Sequence, residues 1–175
     1  MSDLAAYQDY AVKAPDPNPE NTRQVLTQLG AHFAGIDQQR DTYFAEARGK
    51  LKLREGTIEH LLIHYERLPD AQGAQRTRTY HYEASPSPEA VAALFASRAV
   101  LGVVEKVRRI YFLSNVKFHQ DTLPNGGQFI EVEAMDKYGQ LAPEQLRQQC
   151  LAYLTLFGIE PDQILPAGYG PQAAP

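Results

Sequence analysis

Apolar and polar side chains alternate with period two along most of this chain, which predicts a molecule built mainly from half-buried strands. The pattern is clearest in Lys50-Leu51-Lys52-Leu53-Arg54, where the cations share one face and the leucines the other. The same rhythm predicts strands over residues 7–14, 39–44, 58–68, 76–82 and 103–113. It predicts a closing hairpin over 115–121 and 128–133, turned by Pro124, Asn125, Gly126 and Gly127. Helix signals interrupt it three times. Asn18 caps a helix with Pro19 in its first turn and Gly30 at its end, and Ser87 followed by Pro88 opens a second. A third runs over 143–157 and closes at Gly158. Gly35-Ile36-Asp37 reads as a turn and 70–75 as a loop. Residues 166–175 are mostly Pro, Gly and Ala without period, so a frayed tail is expected beyond a single domain of residues 1–165.

What the polar faces carry changes the picture. In the hairpin, Lys117, His119 and Asp121 share one face and Val116, Phe118 and Gln120 the other. On the returning strand Glu131 and Glu133 oppose Ile130 and Val132. Other strands present cations at the same spacing: Lys52 with Arg54, Arg76 with Arg78 and then Tyr80, and Lys106 with Arg108. Two architectures satisfy this pattern. An open sheet would leave these side chains on a solvated face. A closed antiparallel barrel would turn apolar residues outward under the helices and charged residues into a wet interior. In a barrel the mixture suits a polyanion with a divalent metal, Lys and Arg gripping phosphate oxygens while Asp and Glu hold Mg2+ or Mn2+. Phosphoryl transfer needs mostly such positioning and charge neutralisation.

Composition narrows the class. The 175 residues, 43% hydrophobic and 22% charged, are ordinary for one globular domain. A formal net charge of -4 argues against wholesale nucleic-acid binding. Between residues 50 and 117, however, eleven Lys and Arg stand against seven Asp and Glu, which points to a localised anion site. There is no long apolar run and no leader-like segment, so no membrane partner is expected. Cys150, at helical spacing from Leu146, Leu154 and Phe157, reads as a small buried hydrophobe and fits a cytoplasmic setting. His119 reads as a hydrogen-bonder rather than a zinc ligand, since no second His or Cys stands at ligand spacing. His60 and His64 fall on the strand face opposite Arg67 and are expected at the surface. No phosphate-binding glycine loop or nucleophile elbow is present, and nothing in the sequence sets the oligomeric state.

Several segments together resemble the CYTH superfamily, the triphosphate-tunnel proteins that include class IV adenylate cyclases, thiamine triphosphatases and inorganic triphosphatases. They are Asp41-Thr42-Tyr43-Phe44, Gly49 to Glu55, Tyr65-Glu66-Arg67, the run from Arg76 to Tyr80, Val104 to Arg108, His119-Gln120-Asp121, and Gly127 to Glu133. The resemblance implies an α+β fold: a closed eight-stranded antiparallel β-barrel with helices packed outside. It also implies Lys52, Arg54, Arg67, Arg76, Lys106, Arg108, Lys117 and His119 as triphosphate contacts. Asp9, Asp121, Glu131 and Glu133 would be ligands for Mg2+ or Mn2+, and Lys13 and Asp121 catalytic residues. The expected partner is a triphosphate-containing small molecule, hydrolysed or, for ATP, cyclised. The chain departs from the family where it opens with Glu-x-Glu-x-Lys. Asp9, Ala11 and Lys13 stand there, and Ala11 can coordinate nothing. Arg78 also stands where the family usually carries Ser. The alternative is therefore a non-catalytic module that binds nucleotide or polyphosphate.

Overall fold

The computed structural model describes residues 8–71 and 74–166. Eight strands close into one antiparallel barrel: β1 (Gln8–Pro15), β2 (His32–Phe44), β3 (Lys50–Gly56), β4 (His60–Pro69), β5 (Gln75–Ala84), β6 (Val100–Leu113), β7 (Val116–Thr122) and β8 (Gln128–Asp136). Around the barrel they run β1-β5-β4-β3-β2-β6-β7-β8, and β8 returns to β1. Closure rules out the open sheet. Three helices lie outside: α1 (Pro19–Gln28), α2 (Pro88–Ser97) and α3 (Pro143–Leu156). Asn18 and Ser87 cap α1 and α2 as the sequence predicts, each accepting a backbone N–H at 3.2 Å. Among the described residues no helix is long and apolar enough to cross a membrane.

The hydrophobic core sits outside the barrel wall. Val12, Ala14, Val116, Phe118, Ile130 and Val132 point outward and meet Leu26 of α1 and Leu146, Cys150 and Leu154 of α3. A smaller cluster joins Phe44, Leu51 and Leu53 to Leu94 of α2. Phe118 anchors the larger one, fully buried with Tyr153 edge-on at 4.8 Å. Since β1, β3, β7 and β8 give their apolar sets to these helices, the period of two sends their polar sets into the lumen. Cys150 is buried among apolar neighbours, and burial pushes its thiol up to about 12.

Several expected boundaries shift. Gly35-Ile36-Asp37 is not a turn: β2 runs through it, and Gly35, at φ +135°, marks a bulge where the register against β6 slips. Residues 57–59 form a loop closed by Asp37, although the alternation assigned Ile58 and Glu59 to a strand. That carboxylate accepts the backbone N–H groups of Ile58 at 2.8 Å and Glu59 at 3.1 Å. Gly56 permits the closure, because a Cβ there would lie 2.5 Å from the Asp37 carboxylate. Strand β6 begins at Val100 rather than 103, and β8 extends to Asp136 rather than 133. Apart from Pro166 the expected tail lies outside the described residues, as does Tyr7 of the first expected strand. The chain that follows α3 returns to the barrel, where Leu165 N–H donates to the Lys13 carbonyl at 2.7 Å.

Candidate functional site

A cavity of about 360 Å³ occupies the lumen. Strand β1 contributes Asp9, Ala11 and Lys13, β3 contributes Lys50, Lys52 and Arg54, and β4 contributes Tyr65 and Arg67. Strands β6, β7 and β8 add Lys106 with Arg108, Lys117 with His119, and Glu131 with Glu133. Among the described residues, eight Lys and Arg side chains line it against five carboxylates. So dense a set of buried cations costs free energy until an anion neutralises it.

Asp41 is the internal counter-ion. Arg54 forks onto it with both bonds at 2.8 Å, Lys106 Nζ reaches it at 2.6 Å, and Lys52 Nζ lies 3.9 Å away. Burial pushes the Asp41 carboxyl up, but Lys52, Arg54 and Lys106 outweigh it and hold the group far below the usual carboxylate range. Arg54 also donates to Glu59 at 2.7 Å, so one guanidinium ties two acids to the β3 wall. The lysines bear the crowding. Burial first, then Arg54, depresses Lys52 well below its ordinary value, and burial with Arg108 and Arg54 brings Lys106 down to about 8.

Across the lumen, the hairpin brings His119, Glu131 and Glu133 together, with one potential ligand atom from each within 4.8 Å of the others. Lys13 Nζ lies 3.1 Å from Glu131. His119 Nδ1 lies 3.1 Å from Glu131 Oε1, while its Nε2 is buried without a partner. Burial, together with Arg108, lowers the His119 pKa against the pull of Glu131, which favours the neutral imidazole and its lone pair. Burial raises Glu131, but Lys13, His119 and Arg108 hold it well below its usual value. Asp9 behaves oppositely: burial and the nearby Glu133 carboxylate push it up to about 7, against the pull of Arg67. An anionic pair with a neutral imidazole is a donor set that suits a divalent cation.

The expected site residues divide. Lys13, Lys52, Arg54, Arg67, Lys106, Arg108, Lys117, His119, Asp9, Glu131 and Glu133 all line the cavity. Arg76 does not. It is exposed on the outer face of β5, where Arg78 also lies, and Gln75, Thr77 and Thr79 face the lumen instead. Alternation fixed which β5 residues go together; pairing of Thr77 with Asp9 and with Arg67 fixed which set points in. Asp121, on the same strand face as His119, has both carboxylate oxygens accepting from Arg108 at 2.6 Å and is outside the cavity lining. Tyr80, in phase with the arginines by the alternation, donates outward to Glu66 at 2.7 Å. His64 is likewise outside, as expected, against the Arg48 carbonyl. Asp41 and Glu59 received no role from the sequence. Asp41 sits at an alternate position from the inward Tyr43 and could have been read so; Glu59 lies in a loop and gave no signal.

The comparisons agree with this geometry. No curated protein matches the chain. Among solved structures, the PH1012 protein of Pyrococcus horikoshii OT3 superposes with a TM-score of 0.76 at 26% identity, covering 92% of this chain and 96% of its own. A candidate adenylate cyclase of Vibrio parahaemolyticus shares the fold at TM-score 0.72 and 17% identity, covering 92% of this chain and 94% of its own. So does HpAC1 of Hippeastrum, at 0.60 and 15%, covering 93% and 92%. A family model of the CYTH domain matches residues 8–169, nearly the whole of the chain. With the closed eight-stranded barrel and its cation-lined lumen, that match makes the chain a member of the CYTH family.

Proposed function

We propose that this protein is a divalent-metal-dependent enzyme that hydrolyses a small-molecule triphosphate inside the barrel. One observation carries the reading: Lys and Arg side chains of β3, β4 and β6 line the same cavity as a His–Glu–Glu cluster on β7 and β8. Lys52, Arg54, Arg67, Lys106, Arg108 and Lys117 would grip phosphate oxygens, offsetting the charge that builds on the leaving group. His119, Glu131 and Glu133 would hold Mg2+ or Mn2+, with Asp9 beside them. A metal bound there supplies charge neutralisation and a more acidic water. Water adds to the terminal phosphorus and gives up a proton to solvent, the bridging P–O bond breaks, and the diphosphate leaving group keeps the bond's electron pair. Lys13 orients Glu131 and is placed to meet a phosphate oxygen, while Asp121 acts only by fixing the plane of Arg108. HpAC1 of Hippeastrum, described as showing a dominant triphosphatase activity, supports hydrolysis over cyclisation of ATP.

Release of phosphate from tripolyphosphate, ATP and thiamine triphosphate, each with Mg2+ and Mn2+, tests this directly. Glu133→Gln should abolish metal-dependent turnover and leave the melting temperature unchanged or higher, because it removes a like charge beside Asp9. Unchanged turnover in that variant would remove Glu133 from the chemistry. The second reading, a binding module without turnover, rests on Ala11, which leaves the β1 wall one carboxylate short. Tight triphosphate binding with no phosphate release under any metal would establish it.

A further inference from the structure

Most of the lumen wall is charged or hydrogen-bonding, but β4 and β5 add an apolar stretch to it. Leu61 and Ile63 of β4 point inward, while Leu62 between them points outward and packs in the cluster beneath α2. Leu61 and Ile63 belong to neither core cluster and are only half-buried, their open surface facing the cavity. Beside them on β5 lies Tyr82, paired with Ile63 and also lining the cavity.

Tyr82 reaches that position through a defect in the strand. On β5, Thr77 and Thr79 face the lumen, so strict alternation would send residue 81 inward and Tyr82 outward. Instead the register against β4 slips by one between Tyr65 and His64, which pair with Thr79 and His81. Tyr80 is the extra residue, and the phase beyond it reverses. A bulge of this kind re-aims a side chain, and here it puts a phenol ring beside two branched aliphatics in a wet cavity. On the neighbouring strand β3, Lys52 pairs with Ile63 and Arg54 with Leu61. The apolar patch is therefore one strand spacing from two cations of the phosphate-gripping wall.

We propose that Leu61, Ile63 and Tyr82 form a head-group subsite that selects triphosphates carrying a flat organic ring over inorganic tripolyphosphate. The inference rests on the triphosphate reading above and specifies the substrate class for it. With its phosphates on Lys52 and Arg54, such a substrate lays its ring across Ile63 and against Tyr82, taking apolar surface on both sides out of water. Inorganic tripolyphosphate has nothing apolar to place there and leaves the patch wet. Aromatic stacking of this kind tolerates different ring systems, so the class is set by the ring rather than by one base.

Isothermal titration in Mn2+ tests it, with tripolyphosphate, ATP and thiamine triphosphate as ligands for the natural protein, Tyr82→Ala, Tyr82→Phe and Ile63→Thr. Tyr82 is 48% exposed, so its truncation leaves the core intact. Tyr82→Ala should weaken at least one ring-bearing ligand about tenfold, roughly 1.4 kcal/mol, and tripolyphosphate less than twofold. Ile63→Thr should act in the same direction, and Tyr82→Phe, which keeps the ring face, should bind as the natural protein does. Equal effects on all three ligands, or none on any, overturn the subsite while the triphosphate site stands. So does a natural protein that binds tripolyphosphate and neither ring-bearing ligand. A natural protein that binds no triphosphate at all overturns both readings together.

Discussion

Asp9 shows how burial and a like charge act on one residue. Its side chain is buried beside Glu133, and its carboxyl rises from 3.8 to about 7. A carboxyl raised on folding binds a proton that the unfolded chain has already lost. Its contribution to stability is therefore full below about pH 4 and is lost as the pH climbs to about 7. Asp9→Asn abolishes that loss. In metal-free buffer its stability relative to the natural protein should grow by about 2 kcal/mol between pH 5 and pH 8, read from urea melts at both pH values. A pH-independent difference would mean that Asp9 is ionised throughout. Asp41 is the opposite case, an acid held ionised by Arg54 and Lys106. Asp41→Asn removes the carboxylate that Arg54 and Lys106 share, although Arg54 keeps Glu59, and should cost about 3–5 kcal/mol, part of it regained when tripolyphosphate is added. A loss under 1 kcal/mol would show that water already solvates the β3 wall.

At the scale of the element, β1 carries the departure from the family. Asp9, Ala11 and Lys13 line the lumen as the alternation predicts, and Ala11 pairs directly with Glu133 of β8. Ala11→Glu therefore places a second carboxylate on the metal-facing wall. The cavity accepts the added volume, which a packed core would not. Without metal the new charge repels Glu133, so the variant should melt lower than the natural protein. With Mn2+ the gap should close, and an added ligand worth about 1.4 kcal/mol in the transition state would raise turnover roughly tenfold. Unchanged Mn2+ affinity and rate would show that the missing Glu is not what limits this protein. Strand β5 teaches a different point. Two threonines and two arginines alternate there, both sets polar, so the pattern cannot say which is inside. A one-residue shift of phase moves a whole set across the wall.

For the whole molecule, the fold is an inverted arrangement: apolar faces covered by helices outside and an excess of buried cations within. The ligand-free lumen is repulsive, so an anion that fills it stabilises the fold. Tripolyphosphate at a hundredfold excess over its Kd should add about 2.7 kcal/mol, shrinking as salt screens the contacts. Binding should also take up protons at pH 8, because an anion restores the charge of Lys106, which burial and Arg108 hold at about 8. Titrations in two buffers of different ionisation enthalpy measure that uptake. Proton release, or none, would mean that Lys106 does not meet the anion. Equal stabilisation at low and high salt would place the ligand outside the lumen.

The sequence by itself determined the barrel's two faces. Leu51, Leu53, Phe118 and Val132 could not share a side with Lys52, Arg54, His119 and Glu131, because strand geometry separates neighbours whatever the surroundings. Capping chemistry at Asn18 and Ser87 is local too, and it set the helix starts. Nearly all of the cation wall and the Glu131–Glu133 pair were legible for the same reason. Only the tertiary structure decided what depends on neighbours distant in the chain. The pairing of Thr77 with Arg67 sent Arg76 outward, and Arg108 withdrew Asp121 from the cavity. Asp37 closed a loop 20 residues away that carries Glu59 to Arg54. The bulge at Tyr80 could not be read in advance either, since a slip in register is a property of two paired strands, and neither strand's pattern contains it.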